Sequence, residues 1–169
     1  MELIITLTVI VLLVAVALPN FQTLVNRNRL VGKTNDIVTA INLARSEAVS
    51  QGVAAGACPS PDGVNCVIGA WNQGWIVWAD TNGNATFEIG EEVRVNNTAS
   101  SGTAAEVVAV VASGNVDGGV VFTPLGMTNN VANGTFTLNH TNALQSRVIT
   151  LTPFGQITTV CMGQSCPQG

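Results

Sequence analysis

The sequence contains few charged residues. Of its 169 residues, 9% are charged and 47% are hydrophobic, whereas an average globular domain has about 25% charged residues. The apolar content is too high for an acidic disordered tail. Six Lys and Arg residues against ten Asp and Glu residues give a net charge of −4, which disfavours a nucleic-acid-binding protein. The single histidine, His140, argues against a His-rich metal enzyme.

The few charges divide unevenly along the chain. Residues 1–49 contain four cations and three acids, a net charge of +1. Residues 50–169 contain two cations, Arg94 and Arg147, and seven acids, a net charge of −5. A duplex-binding surface requires several cations that neutralise phosphates. The distal part is therefore a poor candidate for binding DNA.

Motifs of catalysis are missing as well. The sequence has no nucleophile elbow, phosphate-binding loop or zincin motif. His140 lies in an Asn/Thr turn with no cysteine or serine motif near it, so we expect a surface residue rather than a general base. We therefore expect no enzyme activity.

The four cysteines form two close pairs. Cys58 and Cys66 are eight residues apart, and Cys161 and Cys166 are five apart. Neither spacing is C-x-x-C, and no histidine lies nearby to complete a zinc site. We interpret them as two local disulfides formed in an oxidising compartment. Four cysteines allow three pairings, and buried free thiols are the alternative; we prefer local pairs because each closes a short segment.

One long helix is predicted over about residues 2–51. It begins with sixteen uncharged, mostly apolar residues, 3–18, which as a helix span about 24 Å against a hydrocarbon core of about 30 Å. The run lacks the positively charged flank and the cleavage site of a normal secretory signal. Pro19 closes it and is predicted to kink the helix. Helical spacing then continues to the stop at Gly52, in Leu30, Thr34, Ile37, Ile41, Ala44 and Ala48.

After Gly52 the pattern changes to alternation and turn chemistry. Residues 96–106 are predicted to be a loop, and Asn-Gly and Gly-Gly pairs separate several strands. The predicted strands are Trp75–Ala79, Glu92–Val95, Val107–Ala112, Gly119–Phe122, Thr135–Leu138, Arg147–Leu151 and Gln156–Val160. We therefore predict an α+β fold, one long N-terminal helix packed on an antiparallel, β-rich globular head.

Residues 80–91 place oxygen-bearing side chains at the spacing of a calcium loop. Positions 1, 3, 5, 9 and 12 are Asp80, Asn82, Asn84, Glu88 and Glu91. Position 6 is alanine, however, where the EF-hand has glycine. A hairpin turn with solvated acids is the favoured interpretation and a Ca²⁺ site the alternative; no other cofactor is expected.

The start of the chain resembles the N-terminus of type IV pilins and pseudopilins. The family pattern is roughly F-T-L-I-E-L followed by an apolar run. Glu2-Leu3 matches E-L, and Pro19 matches the proline of the motif. Met1 stands where the motif has Ile, and F-T-L, the preceding glycine and the leader are not in this sequence. We expect that the sequence is trimmed within the motif or that its start is assigned late.

The head carries a second resemblance. Residues 71–95, WNQGWIVWADTNGNATFEIGEEVRV, resemble the W-x-x-G-W signature of minor pilins and of the H-type minor pseudopilins of type II secretion. The segments VVFTPLG (120–126) and VITLTPFGQI (148–157) resemble later strands of that family. We expect Trp71, Trp75 and Trp78 to serve in core and strand packing.

The resemblance implies a minor structural subunit that helps to initiate or cap assembly of a type IV pilus or a type II secretion pseudopilus. Residues 1–25 would form the transmembrane and fibre-core half of the helix, 26–52 its amphipathic half, and 53–169 a periplasmic head with both disulfides. The protein would be a single-pass inner-membrane protein before it enters the fibre. Its partners would be prepilin peptidase, acting on the precursor and linked to N-terminal methylation, and other major and minor pilins or pseudopilins. Glu2 would set register by pairing with the N-terminal amine of a neighbour.

A DNA-capturing minor pilin of natural transformation is the alternative function. Relatives of that kind have a basic G-R-x-R-like motif near the C-terminus. Here the stretch reads Gly155-Gln156-Ile157-Thr158, without either arginine. We therefore do not expect DNA binding.

Overall fold

One helix and two antiparallel sheets are present in the computed structural model, which describes residues 2–69, 71–96, 108–129, 132–140, 145–163 and 166, without the side chains of residues 15–20. Helix α1 is Glu2–Gln51. The strands are β1 Ala55–Pro59, β2 Trp75–Ala79, β3 Glu92–Asn96, β4 Ala109–Ser113, β5 Val120–Phe122, β6 Gly134–Asn139, β7 Gln145–Leu151 and β8 Ile157–Gly163. The predicted α+β fold is confirmed.

Helix α1 ends where the sequence predicted. Gly52 has φ 68°, a left-handed conformation that glycine adopts without steric cost. Its N–H donates to the Ala48 carbonyl at 3.1 Å, which closes the last turn. Position 19 lies within the single helix, so the proline does not end it, and the kink there stays a prediction.

The helix face predicted from the periodicity is the face that the head buries. Its six residues, from Leu30 to Ala48, are at most 1% exposed. Thr34 is the polar member, and its hydroxyl donates to the Leu30 carbonyl at 2.7 Å, so no hydrogen-bonding group is left unsatisfied there. The helix contacts strands of both sheets. One stripe of α1 therefore forms the shared floor of the head.

The two four-stranded sheets have the orders β3-β2-β1-β5 and β4-β6-β7-β8. Strand β1 was not predicted. It reads Ala-Gly-Ala-Cys-Pro and all five residues are buried, because it pairs with β2 and β5 on its two edges. Small residues, glycine and proline carry neither alternation nor β propensity, so only its neighbours make this segment a strand.

Two apolar clusters lie on opposite faces of the first sheet. The main core fills the space between α1 and both sheets. The second cluster contains Cys58, Ile76 and Trp78 on the face away from the helix, with Phe87 packed against them. Gly56 is required beside it, because a Cβ there would lie 2.8 Å from the Trp78 ring. The first sheet is therefore apolar on both of its faces.

The tryptophans are core residues, as predicted. Trp71, Trp75 and Trp78 are at most 3% exposed. Trp71 packs edge-on against Phe136 with ring centroids 5.1 Å apart, and its Nε1–H donates to the Val116 carbonyl at 3.1 Å. This contact joins the segment before β2 to a strand of the second sheet.

Several sequence predictions need correction. Strand β3 extends to Asn96, and β8 begins at Ile157 and continues to Gly163. The rest of the loop predicted over 96–106 lies outside the described residues. His140 is 5% exposed rather than a surface residue. It follows β6 on the inward face shared with Phe136 and Leu138, because alternate residues of a strand face the same side.

Both predicted disulfides are present. Cys58 in β1 is bonded to Cys66, and Cys161 in β8 is bonded to Cys166. The first closes a loop beside the outer apolar cluster. The second bonds β8 to Cys166, which lies beyond the end of that strand.

We predict that each disulfide adds about 2–3 kcal/mol to the free energy of unfolding, since each removes the loop entropy of a short segment from the unfolded chain. The paired serine variants Cys58→Ser/Cys66→Ser and Cys161→Ser/Cys166→Ser should lower that free energy by this amount in urea denaturation. Non-reducing peptide mapping of the parent protein is the control for the pairing. Free thiols or crossed pairs in that map would contradict the prediction.

Candidate assembly surfaces and polar sites

The first part of α1 is an exposed apolar surface. From Leu3 to Val14 its large apolar side chains are 46–74% exposed. The two threonines do not interrupt this surface, because Thr6 donates to the Leu3 carbonyl at 2.9 Å and Thr8 to the Ile4 carbonyl at 2.7 Å. An apolar surface of this extent on a single chain marks an interaction site.

Glu2 is exposed at the start of this surface. A carboxylate placed beside an apolar helix is costly in an apolar environment unless it is paired. In the part of the chain that the structure describes, no helix combines the length and the apolarity that a membrane crossing requires. The register role of Glu2 stays a prediction.

Further along α1, basic side chains attach the helix to the head. Lys33 Nζ lies 4.6 Å from the centroid of the Trp75 ring, a cation–π contact. Burial lowers the pKa of the Lys33 ammonium below its ordinary value, while the nearby Asp36 carboxylate acts in the opposite direction. Lys33 therefore serves the junction between helix and sheet.

Arg45 attaches the helix to two turns of the head at once. Its Nε donates to the Gly126 carbonyl at 3.0 Å, and its Nη1 donates to the Gly155 carbonyl at 3.0 Å. Its Nη2 reaches the Phe154 carbonyl at 3.4 Å. The planar guanidinium can hold several acceptors in fixed directions. Arg45 therefore connects the turn after β5, in one sheet, to the turn between β7 and β8, in the other.

The two turns share the sequence T-P-x-G. Residues 123–126 and 152–155 each close with the glycine N–H donating to the threonine carbonyl, at 2.8 and 2.9 Å. Both glycines have φ near +72°, and a Cβ at Gly155 would collide with the Gly126 carbonyl oxygen. The residue at x is exposed in both turns: Leu125 is 82% and Phe154 66% exposed. Leu125 and Phe154 are therefore exposed apolar side chains on the two turns that Arg45 joins.

The loop 80–91 brings together all five residues of the predicted calcium loop. The Asp80 carboxylate accepts backbone N–H groups of residues 82 to 85 at 2.7–3.2 Å. Burial alone would raise the pKa of Asp80, but these four hydrogen bonds hold it below its usual value. Asp80 is 2% exposed and Glu91 6% exposed. The prediction that the acids of this loop are solvated is therefore wrong for these two.

Glu88 and Glu91 are also hydrogen-bonded within the loop. Glu91 accepts the N–H of Thr81 at 2.9 Å and of Glu88 at 3.1 Å. Glu88 accepts the side-chain amides of Asn82 and Asn84 at 2.8 and 2.9 Å. A cation would have to displace several of these bonds. Within the described residues, no group of three or more His, Cys, Asp and Glu side chains could hold a metal ion, and the alternative of a Ca²⁺ site is a question for experiment.

Comparison with known proteins identifies the family. The family model described as Type II transport protein GspH matches residues 33–155. The chain belongs to the GspH family. It is a family of structural pilin-type subunits, not of enzymes, so the expectation of a structural protein is confirmed.

Solved structures similar to this GspH-family chain show the same fold. One crystal form of the type IV minor pilin FimU of Pseudomonas aeruginosa PAO1 has 22% identity and a TM-score of 0.59, covering 79% of this chain and 90% of FimU. A second form has 20% identity and a TM-score of 0.57, covering 78% and 92%. A comparison with curated proteins gave no significant match. At these identities the likeness establishes the fold alone.

Sequence reasoning missed the Arg45 contacts. Arg45 appeared only as one of four cations of the helix, and its acceptors are 81 and 110 residues away. The repeated T-P-x-G was the available signal, since two matching turns with left-handed glycines can present carbonyl groups to one donor.

We predict that Arg45→Ala lowers the free energy of unfolding of this GspH-family chain by about 2–3 kcal/mol, because it removes charge-assisted hydrogen bonds and leaves partly buried carbonyl groups without a donor. Urea denaturation of the variant measures the change. The exposed Arg94 of β3 is the matched control, and Arg94→Ala should change that free energy by no more than about 0.5 kcal/mol. Equal effects of the two substitutions would contradict the role given to Arg45.

We further predict that calcium does not stabilise the protein, because the loop carboxylates already accept hydrogen bonds from the chain. The melting temperature should agree within about 1 °C between EDTA and millimolar CaCl₂, since only a ligand that binds the folded state raises it. A rise that saturates with Ca²⁺ and disappears in Asn84→Ala would instead establish the calcium site.

Proposed function

We propose that this chain is a minor subunit of a type IV pilus or a type II secretion pseudopilus. It waits in the inner membrane with its apolar helix segment inserted and its head in the periplasm, then enters the fibre and helps to initiate or cap assembly. Its partners in that process are other pilins or pseudopilins, with prepilin peptidase acting on the precursor. Membership of the GspH family supports this proposal.

The exposed apolar surface of residues 3–14 is the observation that carries the proposal. This surface continues into the same helix that the head buries from Leu30 onward. The folded head is therefore joined through one helix to an apolar segment that the described strands do not cover. A helix bundle made of such segments from several subunits would bury it, and so would lipid.

Glu2 supplies the register in this proposal. Its carboxylate lies at the start of the apolar surface, where an unpaired charge would be expensive in a bundle. Pairing with the N-terminal amine of a neighbouring subunit removes that cost. The two groups meet at only one offset of the neighbouring helices along the fibre axis. The charge therefore selects one offset between adjacent helices.

DNA capture is the weaker alternative. Arg147, which is half-buried in β7, is the only Lys or Arg after residue 94. The turn at Gly155 supplies backbone carbonyl groups to Arg45 and has no arginine of its own after it. Duplex binding depends on Lys and Arg side chains that neutralise phosphates, and this part of the chain has few of them.

We predict that Glu2→Ala lowers incorporation into fibres roughly tenfold, which corresponds to about 1.4 kcal/mol of lost register preference. The experiment expresses the chain with a prepilin leader in a host that has the assembly machinery. Immunoblots then compare the subunit in sheared fibres with the subunit left in the membrane fraction.

Glu47→Ala is the matched control, since Glu47 is an acid of the same helix that hydrogen-bonds to Gln51 beside the head. It should leave incorporation unchanged, and both variants should keep the parent melting temperature of the head. Normal incorporation of Glu2→Ala would refute the register role.

A further inference from the structure

The outer apolar cluster of the first sheet is not fully closed. A cavity of about 280 Å³ opens onto it, on the side of the sheet away from α1. Its walls are the Trp78 and Phe87 side chains, which are 6.3 Å apart between ring centroids, and the Cys58–Cys66 disulfide. The residues that line it are all among those the structure describes. Trp78 and Cys58 are each only 3% exposed, whereas Phe87 is half-buried and Cys66 is exposed, so the accessible part of the cavity is formed mainly by the Phe87 ring and the Cys66 end of the disulfide.

The size of the cavity limits what it can hold. Sites for drug-sized ligands have volumes of about 300–1,000 Å³, so a cavity at the lower limit suits one apolar group, such as a single aromatic or branched side chain. Gly118 and Gly119 form one end, where the absence of side chains keeps the opening free. Ile68, 81% exposed, lies against Gly118 and extends the apolar surface beyond the opening.

The surroundings of the cavity are acidic. The lining residues fall within 57–66, 78–87 and 118–121, and these segments with their neighbours Asp117 and Glu88 contain no Lys or Arg and, besides the buried Asp80, three acids. Asp62 and Glu88 are exposed. The Asn65 side chain and the backbone N–H groups of residues 64 and 65 hydrogen-bond to Asp62, and the amides of Asn82 and Asn84 hydrogen-bond to Glu88. All these donors are neutral, so none of them carries a positive charge that would offset either carboxylate.

From this geometry we propose that the cavity binds a basic protein segment that inserts one apolar side chain between Trp78 and the Cys58–Cys66 disulfide. The apolar side chain is buried in the cavity, and the cations on either side of it complement the acidic segments around the opening. An apolar anchor in a pocket surrounded by complementary charge is how many interfaces obtain both affinity and orientation. This site lies apart from the apolar helix surface, and the proposal does not depend on assembly into a fibre.

Three peptides test the proposal: Arg-Arg-Phe-Arg-Arg, the same peptide with Ala for Phe, and Glu-Glu-Phe-Glu-Glu. Each is titrated into the full chain, solubilised in dodecyl maltoside, while NMR follows the indole N–H signals. The Trp78 signal reports on the cavity, and the Trp71 signal from the main core is the internal reference. We expect the Arg-Phe peptide to bind about tenfold more tightly than either of the others, and increasing salt to weaken it.

Gly118→Leu is the variant that closes the cavity. A Cβ at Gly118 would meet only Ile68 Cγ1, at an ordinary distance of 3.6 Å, and the backbone there has no left-handed φ, so the head should keep its melting temperature. Gly32→Leu, in α1 with nothing within 4 Å of its Cβ, is the matched control. We expect about a tenfold loss of affinity in the first variant and less than a twofold change in the second.

Each other outcome would overturn the proposal. Equal affinity for the Phe and Ala peptides would show that charge alone attracts them. Equal affinity for the Arg and Glu peptides would show that the acidic segments play no part. Unchanged affinity in a folded Gly118→Leu protein, or equal losses in both leucine variants, would place binding outside the cavity. If Gly118→Leu unfolds, Thr86→Leu, at another residue that lines the cavity, replaces it, with the same expected loss.

Discussion

Burial of one narrow face of α1 is the constraint on which the rest of the head depends. That face contacts strands of both sheets, and half of it consists of alanine and threonine. Small residues let strands approach the helix closely, so two four-stranded sheets can share a single helix as their floor. Each sheet is short, and without this shared floor its inward apolar side chains would face water. The helix thus acts as the common core element, and Arg45 connects the same helix to a turn of each sheet.

The helix that organises the head also extends far beyond it. The head covers α1 from about Leu30 onward, whereas the apolar side chains of residues 3–14 are exposed and are not covered by the described part of the head. Because the helix is continuous, the position of the exposed segment relative to the head is fixed by the packing of the buried face. A partner that binds the first part of the helix therefore also fixes where the head lies. This coupling is what a subunit of an ordered fibre needs, and it follows from the continuity of α1 from Glu2 to Gln51.

Periodic patterns predicted the parts of this fold whose structure is local. The buried face of α1, its end at Gly52, and most strands followed from spacing and turn residues. Predictions failed where distant residues decide the outcome. Strand β1 has no pattern of its own and is a strand because two others pair with it. His140 was expected in water because its neighbours are polar, yet the alternation of β6 turns it inward. The contacts of Arg45 and the open outer cluster depend on segments that meet only in the folded chain.

The polar loops around the outer cluster show how a chain with few charges builds a rigid surface. Asp80 is buried at the start of a loop that has no regular structure, and four backbone N–H groups converge on its carboxylate. Those hydrogen bonds replace the water that burial removes, which is why the pKa of Asp80 is lowered despite burial. The same bonds fix the backbone that carries Phe87, one wall of the cavity. On the other side the Cys58–Cys66 disulfide fixes the opposite wall. Each wall is thus held by bonds within its own segment, and neither depends on the other for its backbone conformation.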